Sequence, residues 1–162
     1  FPNRWDLRSK LGTSLTATHG PVAQLNEQLA GPIDRFFARL TPRRSFWRLG
    51  WGVIDTADGF APPERSHVGR GQDTADAMYV RVERETIRRF PRTGAVLFTI
   101  RTHITSLETL AARSPGDVRM IAAAVASMPD DVAAYKGITP AVAEAITARA
   151  EALSAPARPT WP

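Results

Sequence analysis

The sequence predicts an α+β fold with a helical C-terminal part. Three observations predict it: a β-hairpin pattern between Tyr79 and Ile104, an apolar stripe of helical period after Pro21, and a series of helix-start signals in the last third of the chain. With 162 residues and 43% apolar content, the chain is long enough to bury one core. We expect a single domain over residues 1–153, followed by an extended, proline-rich tail at 154–162.

The hairpin is predicted by two β-rich runs around a turn. Tyr79 to Phe90 places β-branched residues among charged ones, Pro91 to Gly94 has turn chemistry, and Ala95 to Ile104 is β-branched and aromatic. Charged side chains concentrate on these strands, which is consistent either with an exposed face of weak ion pairs or with a functional site. The residues in question are Arg81, Glu83, Arg84, Glu85, Arg88, Arg89 and Arg101.

A helix is predicted from Pro21 to Leu40, where apolar residues recur every three to four positions. Gly31-Pro32 should divide this helix in two or bend it near Ala30. The other predicted elements are a short helix around Asp6 to Leu11, a strand at Phe46 to Ile54, a loop at Asp55 to Asp76, and C-terminal helices marked by a capping box at Thr105 to Glu108, by Ser114-Pro115 and Thr139-Pro140, and by a C-cap at Gly137.

Composition excludes several kinds of site. The chain has no cysteine, so disulfides, thiolate nucleophiles and cysteine-ligated zinc or iron–sulfur centres cannot form within it. The net charge of +5 comes almost entirely from arginine, which favours carboxylate and phosphate partners. Arginines and aromatics interleave from Arg43 to Trp51 without a known nucleic-acid-binding pattern, so we expect no nucleic-acid partner, and a basic nucleic-acid-binding fragment is the weakest alternative.

The chain begins at Phe1 without an initiator methionine, a secretory leader or a long apolar run. We therefore expect a segment of a longer, cytoplasmic polypeptide that has no membrane partner.

Three histidines are candidate ligands. His19 precedes Gly20-Pro21, where the start of a helix would keep its imidazole neutral and able to ligate a metal. His103 shares a strand face with Arg101 and could line a pocket, whereas His67 in a polar loop suggests surface. For His19, a simple hydrogen-bonding role is the alternative.

No nucleophile elbow or phosphate-binding loop is present. The remaining features suit a heme pocket: few possible metal ligands, many arginines for the propionates, aromatic walls and an acidic candidate in Glu83.

The residues also resemble a known family. The pattern includes Phe1-Pro2-x-Arg4-Trp5-Asp6, His19-x-Pro21-Val22, the strand with Trp47 and Trp51, and the hairpin from Arg81 to Thr102. These motifs resemble those of the heme-dependent oxidative N-demethylase family, over nearly the whole chain and in the same order, and the chain corresponds to about the C-terminal two-thirds of such a subunit.

The resemblance implies a PAS-like antiparallel sheet flanked by helices, which binds heme b. It implies the O2-dependent oxidation of a small secondary amine, such as dimethylamine, to a primary amine and formaldehyde. Electrons would come from NADPH through a reductase partner that carries FMN and a 2Fe-2S cluster. The implied site residues are His19 as axial ligand of the heme iron with His103 as its rival, Glu83 as the carboxylate that pairs with the amine, Arg84 and Arg101 as propionate partners, and Trp51 as a further heme contact.

The chain departs from the family pattern at four positions. It has Glu85 where glutamine is usual, His103 where tyrosine is usual, and Gly50 and Gly52 where asparagine and serine flank the second tryptophan. Glu85 and His103 add an acid and an imidazole to the hairpin, which bears on the substrate and on the identity of the axial ligand. The alternative function is a PAS-like sensor or interaction module that binds heme or another ligand without turnover.

Overall fold

The structure, a computed structural model, describes residues 6–22, 24–60 and 77–153. Within these ranges the chain forms six α-helices and a three-stranded antiparallel sheet of order β1-β2-β3, which confirms the α+β class and the helical C-terminal part. The strands are β1 (Ser45–Ile54), β2 (Tyr79–Arg89) and β3 (Val96–Ser106); the helices are α1 (Leu15–Thr18), α2 (Leu25–Arg39), α3 (Leu107–Arg113), α4 (Pro115–Ala126), α5 (Asp130–Lys136) and α6 (Pro140–Ala152).

The contacts within the chain divide it into two compact units. One contains α1, α2 and most of each strand, and the other contains α3 to α6. The core of the helical unit includes Leu107, Val118 and Ile146, which are fully buried. His67, the N-terminal residues 1–5 and the tail at 154–162 lie outside the described residues.

The predicted hairpin is confirmed to within two residues at each strand end. Its turn closes where the Phe90 N–H donates to the Ala95 carbonyl at 2.8 Å, and Gly94 adopts a positive φ of 69°. At the open end, the Leu107 N–H donates to the Met78 carbonyl at 2.9 Å. The residue numbers of these two pairs have the same sum, so the register is the same at both ends of the hairpin.

Helix α2 differs from its predicted bounds. It begins at Leu25 rather than Pro21, because the Val22 N–H donates to the His19 carbonyl and closes a turn there. Of the two alternatives predicted at Gly31-Pro32, a division into two helices and a bend, the first is wrong, because α2 runs through Pro32 as one helix. Gly31 has no Cβ to clash with the Pro32 ring, which removes one of the obstacles to a helix that continues through proline.

Helix α2 contacts the sheet within its own unit. The Phe36 and Phe46 rings meet edge to face with centroids 5.1 Å apart. Arg89 on β2 donates to the Phe37 carbonyl at 2.7 Å and to the Gly94 carbonyl at 2.8 Å, so one side chain joins the last turn of the helix to the hairpin turn.

The helix starts of the C-terminal part are largely confirmed. Thr139 caps α6 by accepting from the Val142 N–H, and Gly137 ends α5 in the left-handed region. The capping box is different: Ser106, not Thr105, caps α3 by accepting from the Thr109 N–H, and Glu108 pairs with Arg149 instead. The predicted strand at Phe46 to Ile54 is confirmed, and the short helix near Asp6 is a single 3-10 turn at Leu7–Ser9.

Candidate functional site

The two faces of β2 carry different charged groups. Side chains alternate across a strand, so Arg81, Glu83 and Glu85 share one face and Arg84 and Arg88 share the other. We call the first the glutamate face; it also carries Arg48 and Gly50 of β1, as their contacts with the two glutamates show. Although it is the more highly charged, this face is the more buried along this part of β2.

Two ion pairs organise the glutamate face. The Arg81 guanidinium donates to Oε1 of Glu83, and Nε of Arg48 donates to Oε2 of Glu85. The two arginines differ in burial, because Arg81 is 4% exposed whereas the side chain of Arg48 is 71% exposed. Burial lowers the pKa of Arg81 and the adjacent Glu83 opposes that shift, so a buried cation is held there by one carboxylate.

The second oxygen of each carboxylate faces Gly50. A Cβ added to Gly50 would lie 3.6 Å from Oε1 of Glu85 and 3.8 Å from Oε2 of Glu83. These are the oxygens that the two ion pairs do not use. A side chain at Gly50 would therefore stand next to two carboxylate oxygens, and glycine leaves the approach to them open.

His19 belongs to the same unit, but its position corrects the expectation from sequence. It does not begin a helix; it ends α1 as the C-cap, with its N–H donating to the Leu15 carbonyl at 3.0 Å. A helix N-terminus therefore does not act on this imidazole. The imidazole is nevertheless half-buried, and its pKa is lowered from 6.5 by that burial and then by the positive charges of Arg48 and Lys10, against an opposing effect of Glu85. The imidazole of His19 is therefore neutral at pH 7, because of burial and nearby positive charge rather than a helix N-terminus.

The opposite face of the sheet, which we call the arginine face, carries Arg84 and Arg101. The hairpin register places these two arginines opposite each other on β2 and β3, and both are exposed. The Arg84 guanidinium also lies 5.2 Å from the ring centroid of Trp47, a cation–π contact. Alternation puts Trp51 and His103 on this face too; Trp51 is half-buried and His103 is exposed.

The structure thus divides the residues that the sequence singled out. Glu83 lies on the glutamate face, and His19 is within electrostatic reach of Arg48 and Glu85 of that face. Arg84, Arg101, Trp51 and His103 lie together on the arginine face. One planar ligand cannot contact both faces of the same strand, so the two groups do not form one site.

No role was predicted from the sequence for Arg48, and Glu85 and Gly50 were noted there without an assigned role in the site. Period-two alternation on β2 would have placed Glu85 beside Glu83. The contribution of Arg48 required the pairing of β1 with β2, because its partner Glu85 is 37 positions away.

None of the helices in the described part of the chain combines the length and the hydropathy that a membrane span requires. Comparison with protein families gives a match over residues 1–146 to the family described as "Haem-dependent oxidative N-demethylase, alpha subunit-like". This match covers both the hairpin with its two glutamates and the segment with His19, and it agrees with the family that the sequence motifs resemble. The chain belongs to the heme-dependent oxidative N-demethylase alpha subunit-like family.

Proposed function

We propose that this chain forms the amine-binding part of a heme-dependent oxidative N-demethylase that acts on a small secondary amine of the dimethylamine type. The products are the primary amine and formaldehyde. Family membership supports the reaction class. The observation that carries the assignment of the site is the partly buried carboxylate of Glu83, whose Oε2 faces the open position at Gly50.

Glu83 holds the substrate in this proposal. A secondary amine is protonated at neutral pH, and a carboxylate in a partly buried site offsets the loss of its hydration by forming an ion pair. Oε2 of Glu83 accepts an N–H of the ammonium ion and takes up its proton when the nitrogen must become neutral. Arg81 keeps the carboxylate in place from the other side, through Oε1.

The donor set near the glutamate face fits a heme. His19 would supply a half-buried imidazole whose lowered pKa keeps it unprotonated, as a ligand of the heme iron must be. Arg48 uses only Nε for Glu85, and a guanidinium has further N–H groups that can hold a propionate. Heme b, when bound, supplies the activation of O2.

Arg48 would contact a heme propionate, and His19 would ligate the heme iron. Arg84, Arg101, Trp51 and His103, which the family resemblance implied as heme contacts, form the competing set on the arginine face. His19 is preferred over His103 because it lies within electrostatic reach of the residues around Glu83, and the substrate must meet the heme there.

The balance of the reaction requires electrons from elsewhere. The methyl carbon leaves as formaldehyde with one oxygen atom of O2, and the other oxygen atom leaves as water, which takes two electrons and two protons. The chain has no cysteine with which to bind an iron–sulfur cluster. We propose NADPH as the electron source, with an FMN and 2Fe-2S reductase as partner and a cytoplasmic location.

The test is amine-dependent oxygen consumption and formaldehyde release by the full-length protein with its reductase. Glu83→Gln keeps the shape of the side chain but removes the charge, and we expect a loss of roughly tenfold to a hundredfold in kcat/KM for dimethylamine. Glu144→Gln, at an exposed glutamate of α6, is the matched control. Equal activity in the two variants would refute the assignment of Glu83.

A further inference from the structure

We infer that Gly50 determines which amines the site accepts, and that Glu85 is a second acceptor for the bound ammonium ion. This inference rests on the proposed function, because it concerns the same site. It adds a size limit and a second hydrogen-bond acceptor, and it predicts a ranking of amines that Glu83 alone would not give.

Two carboxylate oxygens lie close to one point beside Gly50. Oε1 of Glu85 and Oε2 of Glu83 lie 3.6 Å and 3.8 Å from the position of a Cβ on Gly50. Both distances are ordinary van der Waals contacts for a carbon atom. A Cβ would therefore stand between the two carboxylates, and glycine leaves that approach open to an N-methyl group that packs against the backbone of Gly50, where carboxylate oxygens favour the polarised C–H groups of a methylammonium ion.

Ammonium ions differ in the number of N–H groups that they can donate. A dialkylammonium ion has two N–H groups, a trialkylammonium ion has one, and a quaternary ion has none. Two carboxylate oxygens that face one position can accept both N–H groups of a secondary ammonium ion, and they leave no polar N–H unpaired. The site should therefore prefer secondary amines to tertiary amines of similar size.

The two arginines of the glutamate face, Arg81 and Arg48, differ in burial and therefore in how freely they can move. Arg81 is almost completely buried and fixes Glu83, whereas the side chain of Arg48 is 71% exposed and can turn its charge toward water. Glu85 is itself only 9% exposed, so its carboxylate stays on the glutamate face when Arg48 moves. The charge of an incoming cation can thus be balanced without moving a buried group.

The chain offers a matched pair of variants. Gly50→Ala places a methyl group in the approach between the two carboxylates that we assign to the N-methyl group, at distances that require no clash. Gly52→Ala adds the same group to the same strand, two residues away, where none of the heavy atoms considered in the described residues lies within 4 Å of it. Neither glycine has a positive φ, so alanine is compatible with both backbones.

The experiment is a calorimetric titration of the full-length, heme-loaded protein with dimethylammonium and trimethylammonium chloride, without reductase or O2. We expect Gly50→Ala to weaken dimethylammonium binding about tenfold or more, as a methyl-sized obstruction does. Glu85→Gln should weaken it about tenfold and reduce the preference for dimethylammonium over trimethylammonium. Gly52→Ala should bind as the wild type does.

The outcomes separate this inference from the proposed function. Wild-type affinity in both Gly50→Ala and Glu85→Gln, together with a loss in Glu83→Gln, would overturn the inference and leave the proposed function intact. Equal losses in Gly50→Ala and Gly52→Ala would also overturn it, because the effect would not be specific to the position between the carboxylates. Absence of dimethylammonium binding to the wild type would overturn both.

Discussion

Arg84 and Arg101 lie opposite each other on neighbouring strands, although both side chains are positively charged and exposed. Like charges in this cross-strand position destabilise a sheet unless something compensates for them. Trp47 does so in part, through its contact with the Arg84 guanidinium. The two arginines therefore repel each other weakly, and salt or a bound anion reduces this repulsion.

We expect Arg101→Gln to stabilise the protein by roughly 0.2–1 kcal/mol at low salt, because it removes one of two facing charges. The gain should shrink at about 1 M salt, where screening is strong. Urea unfolding at both salt concentrations measures it, and Arg92→Gln in the hairpin turn controls for the loss of net charge. A destabilised Arg101→Gln protein would show that the two arginines do not repel each other.

The ion pair between Arg149 and Glu108 predicts a pH effect. Arg149 donates to both oxygens of Glu108, at 2.6 Å and 2.8 Å, and these hydrogen bonds lower the pKa of Glu108. The resulting stabilisation is complete above the unfolded-state pKa of about 4.3 and is lost as the pH falls through the lower, folded-state value. Because the Glu108 side chain is 43% exposed, we expect less than about 1 kcal/mol.

Glu108→Gln should therefore reduce the free energy of unfolding at neutral pH and flatten its dependence on pH below about 4.3. Urea titrations across that range, with Glu144→Gln as the control, provide the measurement. A Glu108→Gln protein with the pH dependence of the wild type would contradict the role of this pair.

The lowered pKa of His19 predicts a second effect of pH on stability, at higher pH than the effect of Glu108. Burial and the charges of Arg48 and Lys10 favour the neutral imidazole in the folded state. Its stabilising contribution is present above the unfolded-state pKa of about 6.5 and is lost as the pH falls through the lowered value. His19→Gln cannot titrate, so its free energy of unfolding should change less than that of the wild type between about pH 7.5 and about pH 5.5.

His103→Gln is the control, since it removes an exposed imidazole from the opposite face. An equal loss of stability in His19→Gln and the wild type on acidification would contradict a lowered pKa of His19 in the folded state.

The turn of the hairpin can be tested at Gly94. This residue has a φ of 69°, a conformation that costs a residue with a Cβ about 1 kcal/mol. Gly94→Ala should lower the free energy of unfolding by about that amount, whereas Gly59→Ala, at a glycine without a positive φ, should change it little. Equal effects in the two variants would argue against the strained turn.

Local signals were enough to predict most of the elements. The turn at Pro91 to Gly94 sits between two β-rich runs, and Thr139 and Gly137 mark helix ends through residues next to them in sequence. The start of α2 was missed because it depends on Gln24 in the left-handed region and on a turn closed by the His19 carbonyl, and neither has a strong sequence signal.

The candidate site was less predictable because it depends on the pairing of distant segments. Glu83 is predictable from the hairpin alone, but Gly50 approaches Glu83, and Arg48 approaches Glu85, only through the pairing of β1 with β2. Glu83 is separated from Arg84 and Arg101 by strand alternation and by the register of the hairpin. The hydrogen bond between Phe90 and Ala95 defines that register.

The most direct test of the central claim is the absorption spectrum of the full-length, heme-loaded protein during titration with dimethylamine. We predict a heme band that shifts with amine in the wild type, a shift that requires much more amine in Glu83→Gln, and an altered band before any amine is added in His19→Ala. A wild-type protein that stays colourless after heme addition, or a band that responds to amine equally in wild type and Glu83→Gln, would contradict the account.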